Sequence, residues 1–114
     1  MVGLSTNLNY YLFNGNVDLR KGIFWLCEFI RTELQKDPVD TSSVYMFMAK
    51  NRKVVKILHY ERGFYVLYEK RPVMGKFKKP IFDELSRCYQ IRWSDMAYLT
   101  ESLVIDRMST SEVV

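Results

Sequence analysis

The order of apolar and polar residues in the first third of the chain predicts a short strand followed by a helix. Asn9 to Phe13 is an aromatic-rich run, and the turn-forming residues 14–16 end it. A helix is expected to begin near Asp18, a favourable N-cap residue, and to end before Pro38, because the residue before a proline disfavours helical backbone. The apolar stripe of this helix repeats at spacings of three and four: Leu19, Ile23, Leu26, Cys27, Ile30 and Leu34.

From residue 44 onward the pattern changes to strands in close succession. Residues 44–49, 54–60 and 64–71 are rich in β-branched and aromatic side chains, and short polar turns separate them. Connections this short force neighbouring strands to be antiparallel, so these runs predict a three-stranded meander. Pro72 is expected to end the third strand, because proline has no N–H to donate to a neighbour.

The last third of the chain predicts smaller elements. A basic loop at 75–80 precedes a short helix at 81–87 and a strand at 89–93, and Ser94 is expected to cap a last helix. The predicted fold class is α+β, with an antiparallel three- to five-stranded meander sheet packed with one long and one short helix. We expect one such domain over residues 1–106 and a frayed tail over 107–114.

Size and composition restrict the class of protein. The chain has 114 residues, of which 48% are hydrophobic and 15% aromatic, which suits one domain with one core and excludes an intrinsically disordered chain. A two-domain enzyme with a separate cofactor module does not fit this length. The first residues lack a secretory signal and no apolar run is long enough to span a membrane, so we expect a cytoplasmic protein whose two cysteines are reduced.

The residues that carry most catalytic chemistry are sparse. The single histidine, His59, and the widely separated Cys27 and Cys88 cannot supply the ligands of a zinc site in one chain. Cys27 lies on the apolar stripe and is expected to be a small core residue, and His59 is expected to be an ordinary strand residue. The sequence has no glycine-rich phosphate loop. It therefore predicts no enzyme, no cofactor, no metal and no small-molecule substrate.

The distribution of charge is uneven. Residues 50–79 contain ten Lys or Arg and two acidic residues, a net charge of +8, whereas the rest of the chain has a net charge of −4. Aromatic residues are interleaved with these cations, a composition typical of nucleic-acid surfaces. The alternative is a solvated sheet edge that lysines protect from aggregation. The DNA-binding residues that we predict in this segment are Lys50, Arg52, Lys53, Lys56, Lys70, Arg71, Lys76, Lys78 and Lys79.

Two further groups of residues are candidates for contacts with a partner. Arg20 and Lys21 fall in the first turn of the predicted helix, where cations oppose the helix dipole, so we expect them to contact a phosphate or an acid; Asp18 is the nearest such acid. Trp25 and Phe29 fall beside the apolar stripe and predict a protein-binding face. The alternative is that the last helix or the N-terminal strand covers Trp25.

The segment Tyr11–Gly22 resembles the signature Tyr-Leu-x-x-Gly-x-x-Asp-Met-Arg-Lys-Gly of one protein family. This family is the small second-frame accessory protein (TnpB type) of bacterial insertion sequences of class sixty-six. Further matches follow over residues 8–103, at matching spacing: Asp37-Pro38, Val44-Tyr45-x-Phe47, Asn51-Arg52, Lys56-Ile57-Leu58, Val66-Leu67-Tyr68-x-Lys70-Arg71 and Gly75-x-Phe77. The chain departs from the family pattern at Leu19, Pro72 and Ser102. Gly63 lies one place before the family's hairpin glycine, so the resemblance does not define the geometry of that turn.

The resemblance implies a protein that is encoded beside a separate transposase and assists transposition without a catalytic role. Together with the charge distribution, it predicts a non-catalytic accessory factor that binds the element's DNA through the basic meander. The alternative is a protein–protein adaptor that docks the element's transposase through the Trp25/Phe29 helix face.

Overall fold

The computed structural model describes residues 4–15, 17–80 and 86–105. Over these residues the chain forms two helices and seven strands, which confirms the α+β class. The elements in chain order are β1 (Asn9–Phe13), α1 (Ile23–Thr32), β2 (Ser43–Met48), β3 (Val55–Glu61), β4 (Phe64–Lys70), β5 (Lys76–Phe77), β6 (Cys88–Ile91), α2 (Trp93–Glu101) and β7 (Leu103–Val104).

Five of the strands form one sheet in the order β4-β3-β2-β1-β6. The predicted meander of β2, β3 and β4 is confirmed, and β6 pairs antiparallel with β1. The pairing of β1 with β2 differs from the prediction because it is parallel. Helix α1 carries the chain back across the sheet between these two strands, and a helical crossover is the usual way to join parallel neighbours. The sheet is therefore mixed, although most of its pairs are antiparallel.

The sheet is covered on both faces. On one face, Leu26 and Ile30 of α1 are fully buried against residues such as Phe47 and Leu58. On the other face, Met96 of α2 and Phe77 of β5 pack against alternate residues of the same strands. Full burial of a leucine or isoleucine side chain contributes about 1.5–3 kcal/mol, so each layer is anchored by a few such contacts.

Helix α1 is shorter than the sequence predicts. It begins at Ile23, with Gly22 as an extended N-cap, and it ends at Thr32, well before Pro38. The expectation that Asp18 caps this helix is wrong, because the Asp18 carboxylate accepts the backbone N–H of Arg20 at 3.0 Å and caps a separate tight turn instead. The residues of the predicted apolar stripe that lie just outside the helix still pack in the core: Leu19 is buried and Leu34 is half-buried.

The last helix begins two residues earlier than expected. Helix α2 starts at Trp93, and Arg92 rather than Ser94 is its N-cap; the Asp95 carboxylate accepts the Arg92 N–H at 3.1 Å. Residues 81–85, which hold most of the predicted short helix, and residues 106–114, which hold the predicted frayed tail, lie outside the described part of the chain.

Gly63 and Gly75 hold backbone conformations that other residues rarely adopt. Gly63 (φ 86°) follows Arg62 (φ 50°), and the two form a two-residue hairpin turn between Glu61 and Phe64, with the positive φ angles typical of such turns. Gly75 (φ 78°) lies against β7, where a Cβ atom would overlap the backbone carbonyl oxygen of Val104. A side chain at Gly63 would meet no atom within 4 Å.

We expect Gly75→Ala to lower the free energy of unfolding more than Gly63→Ala does. Both substitutions place an alanine in left-handed backbone, which costs about 1–2 kcal/mol. Gly75→Ala must in addition displace β7 from its contact, and overpacking of this kind costs about 1–3 kcal/mol more. Urea unfolding of the two variants measures the difference. Equal losses would show that β7 does not pack against Gly75 in solution.

Candidate nucleic-acid interface

Loops from distant parts of the sequence meet at one end of the sheet. Because β1 and β2 are parallel, their C-terminal ends lie side by side. Strands β3 and β4 then place the start of β3 and the end of β4 at this same end. We call this region the basic end, and it comprises residues 17–21, 49–54, 70–71 and 76–79. The β3–β4 turn at Arg62 lies at the opposite end, about 23 Å away along the seven residues of β3.

The turn between β2 and β3 is fixed by its own hydrogen bonds and by β5. Ala49 N donates to the Val54 carbonyl and Arg52 N donates to the Ala49 carbonyl, both at 2.9 Å. Arg52 adopts left-handed backbone with φ 60°, and its carbonyl accepts the N–H of Phe77 at 2.8 Å. Phe77 is buried, so this bond seats the short strand β5 and its neighbouring lysines beside the turn.

Several predicted cations at the basic end form no ion pair with any residue that the structure describes. Within the described ranges, no ion pair involves the members of this group, which we call the unpaired cations: Lys21, Lys50, Arg52, Lys53, Lys76 and Lys79. Their charges come from separate segments of the sequence. The basic end therefore has an uncompensated positive potential of the kind that attracts polyanions.

Three other predicted cations are held by carboxylates. Arg20 contacts Asp18 through Nε and Nη2 at 3.0 and 3.1 Å, Arg71 Nε contacts Glu69 at 2.7 Å, and Lys70 Nζ contacts Glu101 at 3.1 Å. These pairs are exposed, with the Arg20 side chain 91% accessible, and exposed pairs of this type are weak. A phosphate can therefore replace the carboxylate at little cost.

Arg20 and Lys21 do not lie in a helical turn, so the expectation based on the helix dipole is wrong for them. The pairing of Asp18 with Arg20 nevertheless matches the expected acidic contact. Lys78 is also partly engaged, since its Nζ lies 3.3 Å from the Tyr98 hydroxyl.

Lys56 must be removed from the predicted DNA contacts. It is only 7% exposed, and its Nζ lies 3.4 Å from the Lys21 carbonyl oxygen and 3.6 Å from Glu69 Oε1. A buried ammonium needs such partners, because an unpaired buried charge is strongly destabilising. Lys56 therefore joins the segment before α1 to the end of β4 and does not face a ligand.

Two hollows indent the basic end, and Lys50 lines both of them. The first has a volume of about 660 Å³, and its wall includes carbon-rich residues of the β1–α1 loop and the β2–β3 turn, with Arg20 and Arg71 among its lining residues. The second has a volume of about 450 Å³ and is lined by Arg52 and Lys79 as well as apolar side chains. Ala49 also lines both.

The two residues of the predicted protein-binding face differ in exposure. Phe29 is half-buried and packs edge-on against Phe13 with 4.9 Å between ring centroids, so it belongs to the core. Trp25 stacks on Phe29 at 5.4 Å and is 39% exposed, and α2 lies on the other face of the sheet and does not cover it. Sequence reasoning missed Phe24, which is 79% exposed; its place off the apolar stripe was the available signal.

The residues considered for catalysis, Cys27, Cys88 and His59, are buried or half-buried within the fold. Cys27 is buried, as predicted, and His59 is buried with Nδ1 3.1 Å from the Ser43 carbonyl oxygen. Burial raises the pKa of the Cys27 and Cys88 thiols, which reduces the fraction of nucleophilic thiolate. Over residues 4–15, 17–80 and 86–105, no cluster of three or more His, Cys, Asp or Glu side chains could hold a metal ion. None of the described helices has the length and apolarity to cross a membrane.

Comparison with known proteins identifies one family. A family model described as IS66 Orf2 like protein matches residues 8–110, nearly the whole chain. This match confirms the resemblance carried by Tyr11–Gly22 and the later blocks. Neither a curated protein nor a solved structure matches the chain.

The Asp18–Arg20 pair gives a test of the β1–α1 loop. Hydrogen bonds from the side chain and the backbone of Arg20 lower the pKa of Asp18 to about 2. We expect Arg20→Ala to raise this pKa part of the way towards the ordinary value of 3.8, because the backbone N–H of residue 20 remains. The stabilisation from this depressed pKa is present above about pH 4 and is lost as the pH falls towards 2.

Carbon-detected NMR titration of the Asp18 carboxyl measures this change. Arg92→Ala is the matched control, because Arg92 makes the same type of pair with Asp95 and should leave the Asp18 titration unchanged. An unchanged Asp18 pKa in Arg20→Ala would show that the two side chains do not pair in solution.

Proposed function

The chain belongs to the IS66 Orf2-like protein family, and from this membership we propose that it is a non-catalytic accessory factor in DNA transposition that binds DNA through the basic end of its sheet. The family is an accessory-protein family of insertion sequences and is not known as catalytic. In this proposal, the protein acts in the bacterial cytoplasm together with the transposase that the same element encodes.

The observation that carries the proposal is the convergence of unpaired cations from separate segments. The β1–α1 loop, the β2–β3 turn and the residues around β5 each contribute to the unpaired cations, and parallel pairing of β1 with β2 brings them together. These same segments contain the sequence blocks that resemble the family: Asp18-x-Arg20-Lys21-Gly22, Asn51-Arg52, Lys70-Arg71 and Gly75-x-Phe77. A solvated sheet edge does not require such a convergence.

Contact with phosphates gives this surface its binding energy. Each cation that neutralises a phosphate releases a counterion, so the affinity falls with salt by a slope of about 0.9 per contact for duplex DNA. The proposed contacts are the six unpaired cations, together with Arg20, Lys70, Arg71 and Lys78, which exchange a weak protein partner for phosphate. Lys56 takes no part because it is buried.

We expect Arg52→Gly to weaken DNA binding without destabilising the protein. Arg52 has φ 60°, which glycine adopts more readily than arginine, so the substitution removes the cation while it relieves the backbone. The slope of log affinity against log salt should decrease by about one. Fluorescence anisotropy with labelled DNA between about 50 and 300 mM salt measures the slope, and urea unfolding measures the stability.

Arg62→Gly is the matched control. Arg62 is an exposed arginine with φ 50° in a turn, so it loses the same charge and relieves the same type of strain, but it lies at the opposite end of the sheet. Its salt slope should equal that of the unaltered protein. If both variants weaken binding equally, only net charge matters and the basic end is not the binding surface.

A second candidate function is that of an adaptor that docks the transposase through α1. The exposure of Trp25 favours it, because large exposed aromatic side chains are enriched in protein interfaces. Phe24 on the same helix adds a second exposed ring, packed edge-on against Tyr65. DNA binding does not require either ring.

We expect Trp25→Ala to reduce capture of the purified transposase of the element by at least tenfold if α1 is the docking face, as loss of a central aromatic contact of about 2 kcal/mol does. Trp93→Ala is the control, since Trp93 is 40% exposed, close to the 39% of Trp25, and lies on α2. The two proteins are mixed and their affinity is measured by interferometry. Equal capture by both variants would exclude the Trp25 face as the docking surface for the transposase.

A further inference from the structure

We infer that the basic end takes single-stranded rather than duplex DNA, with unpaired bases in the two hollows that Lys50 lines. This inference rests on the proposed DNA-binding function and specifies its substrate. Its basis is the apolar surface that lies between the cations, which a purely phosphate-binding surface would not need.

The first hollow combines an apolar floor with a cationic rim. Leu19 and Val54 are both buried side chains, and they line the hollow together with the smaller Ala49. Arg20, Arg71 and the unpaired Lys50 are exposed and line the same hollow, together with Asp18, which pairs with Arg20. Its volume of about 660 Å³ falls within the range of sites that hold small organic ligands, about 300–1,000 Å³.

The second hollow repeats this arrangement. Phe13 and Met48 supply apolar surface, and Arg52 and Lys79 supply charge, around a volume of about 450 Å³. Lys50 and Ala49 line both hollows. A strand bound at this shared wall would bring phosphates to the cations Arg71, Lys50 and Lys79 and bases to the two hollows.

A duplex cannot use this surface in the same way. Its bases are stacked and paired inside, and its major groove accepts a projecting helix or a two-stranded ribbon. An unpaired base, in contrast, exposes an apolar face that gains free energy when it is buried beside a cationic track. The hollows are concave, so they favour bases that leave the stack.

Anisotropy measurements with two probes test the inference. One probe is a single strand of about 16 nucleotides, and the other is a hairpin duplex with the same number of phosphates. We expect the single strand to bind at least fivefold more tightly, and its affinity to fall with salt by about 0.7 per contact. In addition, 2-aminopurine within the single strand should brighten on binding, because entry into a hollow removes the base from its quenching neighbours.

Ala49→Met places a larger apolar side chain at the position that lines both hollows, without a change of charge. It should weaken single-strand binding by about 5- to 10-fold, the low end of the range for loss of one base contact, and weaken it more than it weakens duplex binding. Ala97→Met is the control, because Ala97 is a half-buried alanine on α2 that lines neither hollow.

The outcomes separate the inference from the function on which it rests. Equal or tighter binding of the hairpin, without a change in 2-aminopurine emission, would overturn the single-strand inference and leave the proposed DNA binding intact. Absence of binding to either probe at about 50 mM salt would overturn both. The 2-aminopurine signal uses the unaltered protein, so it decides the question even if Ala49→Met does not fold.

Discussion

The parallel pairing of β1 with β2 determines where the proposed DNA-binding residues can meet. Two parallel neighbours end at the same side of a sheet, so the loop after β1 and the turn after β2 are adjacent whatever their sequences. Had β1 paired antiparallel with β2, the Asp18–Gly22 segment would lie at the far end, beside Arg62. The crossover through α1 makes the parallel arrangement possible, and the buried side chains of Leu26 and Ile30 hold that crossover against the sheet.

Buried side chains and backbone hydrogen bonds, rather than exposed charges, hold together the chain segments of the basic end. Lys56 connects the carbonyl of Lys21 to Glu69, and Phe77 connects β5 to the carbonyl of Arg52. These contacts fix the positions of the chain segments, which leaves the exposed cations free to bind. A surface of this type is preorganised, so association with a polyanion has to order side chains but not loops.

Much of this fold was predictable from the sequence, but the parts that depend on distant pairings were not. The strands at Asn9–Phe13 and in the meander follow from their local pattern and short turns. The parallel pair was missed, although the nearly continuous apolar run of β2 is typical of a strand covered on both faces. Treating Arg62 and Gly63 as a two-residue turn would also have placed Lys56 opposite Glu69 and indicated an internal ion pair. The meeting of the basic segments has no local signal, because it depends on contacts between residues that are 25 or more positions apart, such as Phe77 with Arg52 and Asn9 with Ser43.

Backbone strain alone does not distinguish Arg52, a proposed DNA contact, from Arg62 at the opposite end of the sheet. Arg52 and Arg62 both adopt left-handed backbone, which costs roughly 1 kcal/mol more for arginine than for glycine. If such strain marked a binding site, the two ends of the sheet would be equally good candidates. What distinguishes Arg52 is its context: its carbonyl anchors β5, its side chain lines a hollow, and Lys50 and Lys79 line the same hollow. Among the described residues, unpaired charge and apolar concavity converge where these segments meet, and that convergence favours a nucleic-acid surface, whereas the unusual backbone is a property of the turns.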